Sequence, residues 1–170
     1  MPPSNIAFRC LLSWVLGVAL LGISTPGIHA QSNGVSNQQR KAQLIARFIQ
    51  NIQWPEKRFT DPEAPFVVGV YGSDSMSDQL REVIQRTKYR GRPILIKVCA
   101  VRQEIRGCHV LFVSSSECQR LRPIISEARK NEGVLTVGEC PNFLDRGGLI
   151  NLVPSGGDIV FEVNYQASLF

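Results

Sequence analysis

The chain predicts a single α/β domain: a mostly parallel central sheet of about six strands, flanked by helices and ending in an antiparallel hairpin. Three observations carry this. Phe66 to Tyr71, Ile94 to Ala100, Gly107 to Ser116 and Val134 to Gly138 contain short, nearly continuous apolar runs, the mark of strands buried on both faces. Helix-period segments or a short crossover lie between them, as wound strand–helix units require. After Gly147-Gly148 the pattern becomes alternating. Leu149 to Val153 and Ile159 to Val163 flank Pro154-Ser155-Gly156-Gly157-Asp158, a hairpin signature with a five-residue turn.

The first thirty residues stand apart. Arg9 precedes the uncharged run Leu11 to Ile23, which is followed by Pro26, Gly27 and the small residue Ala30. That order predicts a secretory signal over 1–30, cleaved after Ala30. The apolar run is shorter than the ~20 residues of a membrane span. Cys10 precedes the run and leaves with the signal. The 170 residues carry 19 Lys and Arg against 14 Asp and Glu, a net charge of +5. That mild balance is too little to argue a nucleic-acid role from charge alone, an exported protein meets little nucleic acid, and no nucleic-acid partner is expected.

Residues 31–39 read as a polar leader and 40–170 as the domain. Leu44, Ile45, Phe48, Ile49 and Ile52 recur at helical spacing from Arg40 onward, and Trp54-Pro55 ends that helix. Trp54 is expected to pin the helix end to the core. Pro62 to Pro65 is a loop before the first strand. Ser75 and Asp78 have capping-box spacing at the head of a second helix, whose inner face is Leu80, Val83 and Ile84 and which Gly91 closes. The link Val101 to Gly107 holds one helical turn, Gln103 to Ile105, and is too short for a full crossover helix, which makes the second strand the expected sheet edge. Ser116 and Gln119 suggest the cap of a helix running to Lys130, with Pro123 kinking or splitting it.

Catalytic chemistry finds little support. His109 is the one histidine after the signal and lies within a strand, where a core role is expected. No metalloprotease, nucleophile-elbow, phosphate-loop or dinucleotide motif is present, and no cofactor or metal is expected. Four cysteines remain after the signal, an even count that in an oxidising compartment favours disulfides. Cys118 and Cys140 follow the third and fourth strands, so parallel neighbours bring them to one sheet edge within bridging reach. Cys99 and Cys108 are left to pair or to remain buried thiols. Arg86, Lys88, Arg90, Arg92, Lys97, Arg102 and Arg106 stand against the single acid Glu104. They read as a solvated face and a charge-protected edge, or as a patch steering toward anionic headgroups or an acidic partner. A ligand crevice, where one exists, is expected outside the strand carboxyl ends, at Ser73, Asp74, Ser114, Ser115, Ser116, Glu139 and Arg146. Serines there also cap helices.

Seven segments in order carry a family resemblance. They are K-A-x-L-x-x-x-F-I-x-x-I-x-W-P (Lys41 to Pro55), G-V-Y-G (Gly69 to Gly72), G-R-P-I (Gly91 to Ile94), G-C-H-V-L-F-V-S-x-S-E (Gly107 to Glu117), V-L-T-V-G (Val134 to Gly138), F-L-D-R-G-G-L-I (Phe143 to Ile150) and F-E-V-N (Phe161 to Asn164). Together they resemble the YfiR-like family of periplasmic proteins. The resemblance implies a non-catalytic repressor that binds the periplasmic sensor domain of an inner-membrane diguanylate cyclase. An outer-membrane-linked lipoprotein releases it, and cyclic-di-GMP output and biofilm formation follow. It further implies that disulfides stabilise the active fold and that Cys108 matches the family cysteine ahead of the third strand. By the same likeness Phe161, Glu162 and Asn164 lie at or near partner-binding surface. Family chains continue past F-E-V-N into a further helix, whereas this one stops at Phe170, so partner surface on that helix is expected to be absent. A homodimer stays open, and a small-ligand sensor using the strand-end crevice is the alternative reading.

Overall fold

The structure, a computed structural model, describes residues 36–72, 74–85 and 87–167. The signal expectation over 1–30, residues 31–35 of the leader, Ser73 and Arg86 lie outside them. Among the described residues no helix is long and apolar enough to cross a membrane.

One seven-stranded sheet organises these residues. The strands are β1 (Phe66–Tyr71), β2 (Lys88–Tyr89), β3 (Arg92–Cys99), β4 (Val110–Val113), β5 (Leu135–Gly138), β6 (Ile150–Ser155) and β7 (Asp158–Val163), in the order β2-β3-β1-β4-β5-β6-β7. From β3 to β6 all neighbours are parallel, and both outer pairs are antiparallel. Alternate residues of the central strands therefore point into two cores. Phe66, Val68, Val70, Val110 and Phe112 face the helices α1 (Asn37–Asn51) and α2 (Asp74–Ile84). Leu111, Val113, Ile105 and Cys108 face the helix α3 (Leu121–Arg129).

Several local readings are corrected. The helix α1 starts at Asn37, not Arg40, because the Ser36 hydroxyl accepts from Gln39 N at 3.1 Å and supplies an N-cap inside the supposed leader. Gly91 does not close α2. Arg90 (φ 49°) and Gly91 (φ 85°) form the tight turn of a small hairpin, adding β2 to the outer side of β3. The hairpin between β6 and β7 turns on two residues rather than five, since Gly156 (φ 57°) and Gly157 (φ 84°) both adopt left-handed geometry and pairing runs to Ser155↔Asp158. Pro154 is tolerated there because β5 pairs only with Ile150 and Asn151 of β6. Pro123 splits its helix: a 3₁₀ segment (Ser115–Arg120) precedes α3, and Pro123 occupies its first turn. The cap of that segment is Ser114, not Ser116.

Trp54 anchors α1 as expected. It is buried, its Nε1 donates to Gly133 O at 2.9 Å, and its backbone N donates to the Tyr89 hydroxyl at 2.9 Å. The glycines of the V-L-T-V-G and F-L-D-R-G-G segments also acquire a cause. A Cβ on Gly138 or on Gly148 would run into the fully buried Phe143 ring, so the bare backbone at both positions makes room for it.

Candidate functional site

The rim at the carboxyl ends of β1, β4 and β5 is built from backbone needs. Ser114 Oγ accepts from Ser116 N at 3.2 Å and lies 2.7 Å from Ser116 Oγ, which satisfies the start of the 3₁₀ turn. Ser115 N donates to Glu139 Oε1 at 2.9 Å, and the other Glu139 oxygen takes the Lys41 ammonium of α1. Both side chains of that pair are largely buried, so it ties α1 to the end of β5 across the sheet. Space at the rim is short: a Cβ on Gly72 would come within 2.6 Å of Ser114 Oγ and 2.7 Å of Ser116 Oγ. Ser114, Ser115, Ser116 and Glu139 thus converge, and each is engaged by the protein itself. Asp74 begins α2.

Cys118 and Cys140 form a disulfide beside this rim, with Cα atoms 5.4 Å apart. The placement follows from β4 and β5 being parallel neighbours, Val113 opposite Gly138. Asn151 lies on the same edge, in the amide orientation that donates to Gly138 O (3.2 Å) and Cys140 O (3.3 Å).

Cys99 and Cys108 are free thiols, both buried. They lie on opposite sides of β1, yet their sulfurs meet. β1 presents Gly69 at that point, and a Cβ there would sit 2.7 Å from Cys108 Sγ and 3.2 Å from Cys99 Sγ. Both Sγ atoms are 3.7 Å from Glu104 O. The hydrogen bond from Cys108 holds the Cys99 thiol below its ordinary range, while Cys99 and burial push Cys108 up. Glu104 itself caps the short turn (Arg102–Ile105), accepting from Ala100 N at 2.7 Å and Val101 N at 3.0 Å.

His109 is a core residue. Its ring lies between Phe59 (centroids 4.6 Å) and Phe66 (4.7 Å), and Nδ1 accepts from Val67 N at 3.0 Å. A ring that accepts at Nδ1 carries its proton on Nε2, which has no partner among the described residues. Burial, then the neighbouring Arg58 charge, lower its pKa from 6.5 to about 4. It is neutral at physiological pH, with no substrate-facing atom to act on.

The basic segment is not one open face. Arg92 is nearly buried, donates Nη1 to Asp61 O and Pro62 O at 2.7 Å each, and lies 4.0 Å above the Phe59 ring. Lys97 Nζ donates to Glu104 O at 2.9 Å, and Arg106 pairs with Glu127 at 3.5 Å. Sequence patterning cannot separate such spent cations from free ones.

Two of the open surfaces bear on the predicted site residues. On β7, Val160 (45 %) and Phe161 (49 %) are half exposed, Phe161 meeting Phe48 of α1 edge-on at 5.2 Å. Glu162 is exposed beside them. Asn164 is used internally: its Nδ2 donates to Leu144 O (3.1 Å) and Gly148 O (3.2 Å), clamping the F-L-D-R-G-G turn to the end of β7. The second surface is a cleft of about 890 Å³ between α3, that turn and the segment after β7, and here Arg146 is found, with Arg122 and Arg129. The sequence reading placed Arg146 among the rim serines and missed both helix arginines. Their spacing of seven, which puts them on one helix face, was the available signal.

Among the described residues no group of three or more histidine, cysteine or carboxylate side chains is placed to hold a metal ion. A search of curated proteins finds no match to the chain. The model of the family described as YfiR/HmsC-like matches residues 38–169, from the first turn of α1 to beyond the clamp at Asn164, and on that span the chain belongs to the YfiR/HmsC-like family.

Proposed function

We propose that this chain is a periplasmic, non-catalytic regulator. It binds and represses the periplasmic sensor region of an inner-membrane diguanylate cyclase, lowering cyclic-di-GMP signalling and biofilm formation. The observation that carries this reading is the family match over residues 38–169, since the family is a regulatory one. The sites agree with it in kind: buried polar groups at the rim and in the cores are turned to structural ends, and what is left exposed is surface. The contact is assigned to β7, where Phe161 offers apolar area on the face toward α1, while Val160 and Glu162 are exposed on the opposite face of the strand. An outer-membrane-linked lipoprotein competes for the repressor and releases the cyclase.

The test joins genetics to capture. Deleting the gene should raise cyclic-di-GMP, and the wild-type chain should restore it, while Phe161→Ala should bind the cyclase sensor region more weakly and restore it less. Unchanged cyclic-di-GMP in the deletion strain, together with failure to retain any membrane diguanylate cyclase on the immobilised chain, would refute the proposal.

A further inference from the structure

The cleft between α3 and the F-L-D-R-G-G turn has no part in the regulator reading. Arg122 and Arg129 project from one face of α3, and Arg146 comes from the turn. Among the described residues none of the three is held in an ion pair, unlike Arg106 and Arg120 nearby, which are paired with Glu127 and Glu117. Two of the three are positioned in advance. Arg146 Nη1 donates to Cys118 O at 3.2 Å, next to the disulfide. Arg129 Nη1 lies 3.1 Å from where a Cβ of Gly147 would be, so the bare left-handed glycine (φ 90°) lets the guanidinium lie against the turn. Asn164, Tyr165, Gln166 and one acid, Asp145, complete the polar side chains of the lining. A concave site with three guanidinium forks and one carboxylate has a net positive charge. Its volume, about 890 Å³, is that of a small-molecule site.

We propose that this cleft binds a small multivalent oxyanion, a phosphate ester or a polycarboxylate, through Arg122, Arg129 and Arg146. Asp145 favours a ligand that also offers a hydroxyl or ammonium donor. The binding does not depend on which protein the chain regulates.

The test is calorimetric titration of the folded, disulfide-intact chain with pyrophosphate and, separately, citrate, at low salt and at ~0.15 M salt. Binding is expected, with affinity falling about tenfold or more for Arg122→Gln and again for Arg129→Gln. Arg129→Lys should recover only part of the loss, because the charge stays and the fork is gone. Lys88→Gln with Arg102→Gln, equal in charge change but outside the cleft, should bind as wild type. All four arginine and lysine positions are exposed, so unchanged thermal unfolding is expected and verifies the fold. No binding of either anion at ~0.15 M salt would overturn the proposal. So would equal weakening by the control pair, or arginine-dependent binding of poly-glutamate alone, which would make the cleft a dock for acidic polypeptide.

Discussion

Breaking the Cys118–Cys140 bridge tests how the strand-end edge is held. The two residues are 22 apart in sequence, and a cross-link of that span removes enough unfolded-chain entropy to stabilise the fold by about 3 kcal/mol. That is a large share of the ~5–15 kcal/mol typical of a domain. Since a change of 1 kcal/mol shifts the melting temperature of such a domain by roughly 4 °C, reduction should lower it by about 12 °C. The assay is thermal and urea unfolding of the unsubstituted chain, oxidised against reduced, with Cys118→Ser/Cys140→Ser as a second reference. Reduction isolates the cross-link. The double variant adds the penalty of a serine at the buried position 140 and should be less stable still. Coincident urea midpoints for oxidised and reduced protein would show that the edge is held by packing and by the Asn151 and Glu139 hydrogen bonds alone.

Gly69→Ala should destabilise by about 1–3 kcal/mol in chemical unfolding, because its Cβ would press on both free thiols and on Leu111. Gly138→Ala, which collides with the fixed Phe143 ring instead of movable sulfurs, should be worse and yield little folded protein. Thiol labelling of the native chain should modify neither Cys99 nor Cys108, both buried, and should modify both after unfolding; protection that persists in denaturant would instead identify a second disulfide. The unfolded chain protonates His109 near pH 6.5 and the folded chain only near 4, so its contribution is complete above pH 6.5 and is lost as pH falls toward 4. The loss is at most about 3 kcal/mol. His109→Asn, whose amide oxygen can take the Val67 N–H, should flatten the urea midpoint between those pH values.

What could be read from the sequence divides by the range of the interaction. Parallel strands buried on both faces announce themselves as continuous apolar runs, so the sheet core and the Cys118–Cys140 bridge at its edge were legible. Turn geometry was less so. Gly91 and the pair Gly156-Gly157 each supply left-handed backbone, but whether such a residue ends a helix or closes a two-residue hairpin depends on which strand lies opposite. The strand β2, two residues long, has no periodicity to detect. The meeting of Cys99 and Cys108 was harder still. They flank β1, and only the sheet order places side-chain-free Gly69 between their sulfurs. Charge was the least legible property. Arg92 and Arg146 look alike in sequence, yet one is spent on three loop carbonyls and the Phe59 ring, and the other opens on a cleft.

The two open surfaces are not separate in the fold. β7 carries Phe161 against α1 on one face, and two residues later Val163 and Asn164 form a wall of the arginine cleft. Asn164 is also the clamp on Leu144 O and Gly148 O, so the position of Arg146, and through Gly147 the seat of Arg129, is fixed to the end of the same strand. A protein docked on Phe161 and an anion drawn between the guanidiniums would both bear on β7 and on the turn it holds. Because among the described residues β7 pairs only with β6, at the end of the sheet, it is less constrained than the parallel strands at the centre. If the two ligands prefer different settings of that strand, each must change the affinity of the other by the same factor.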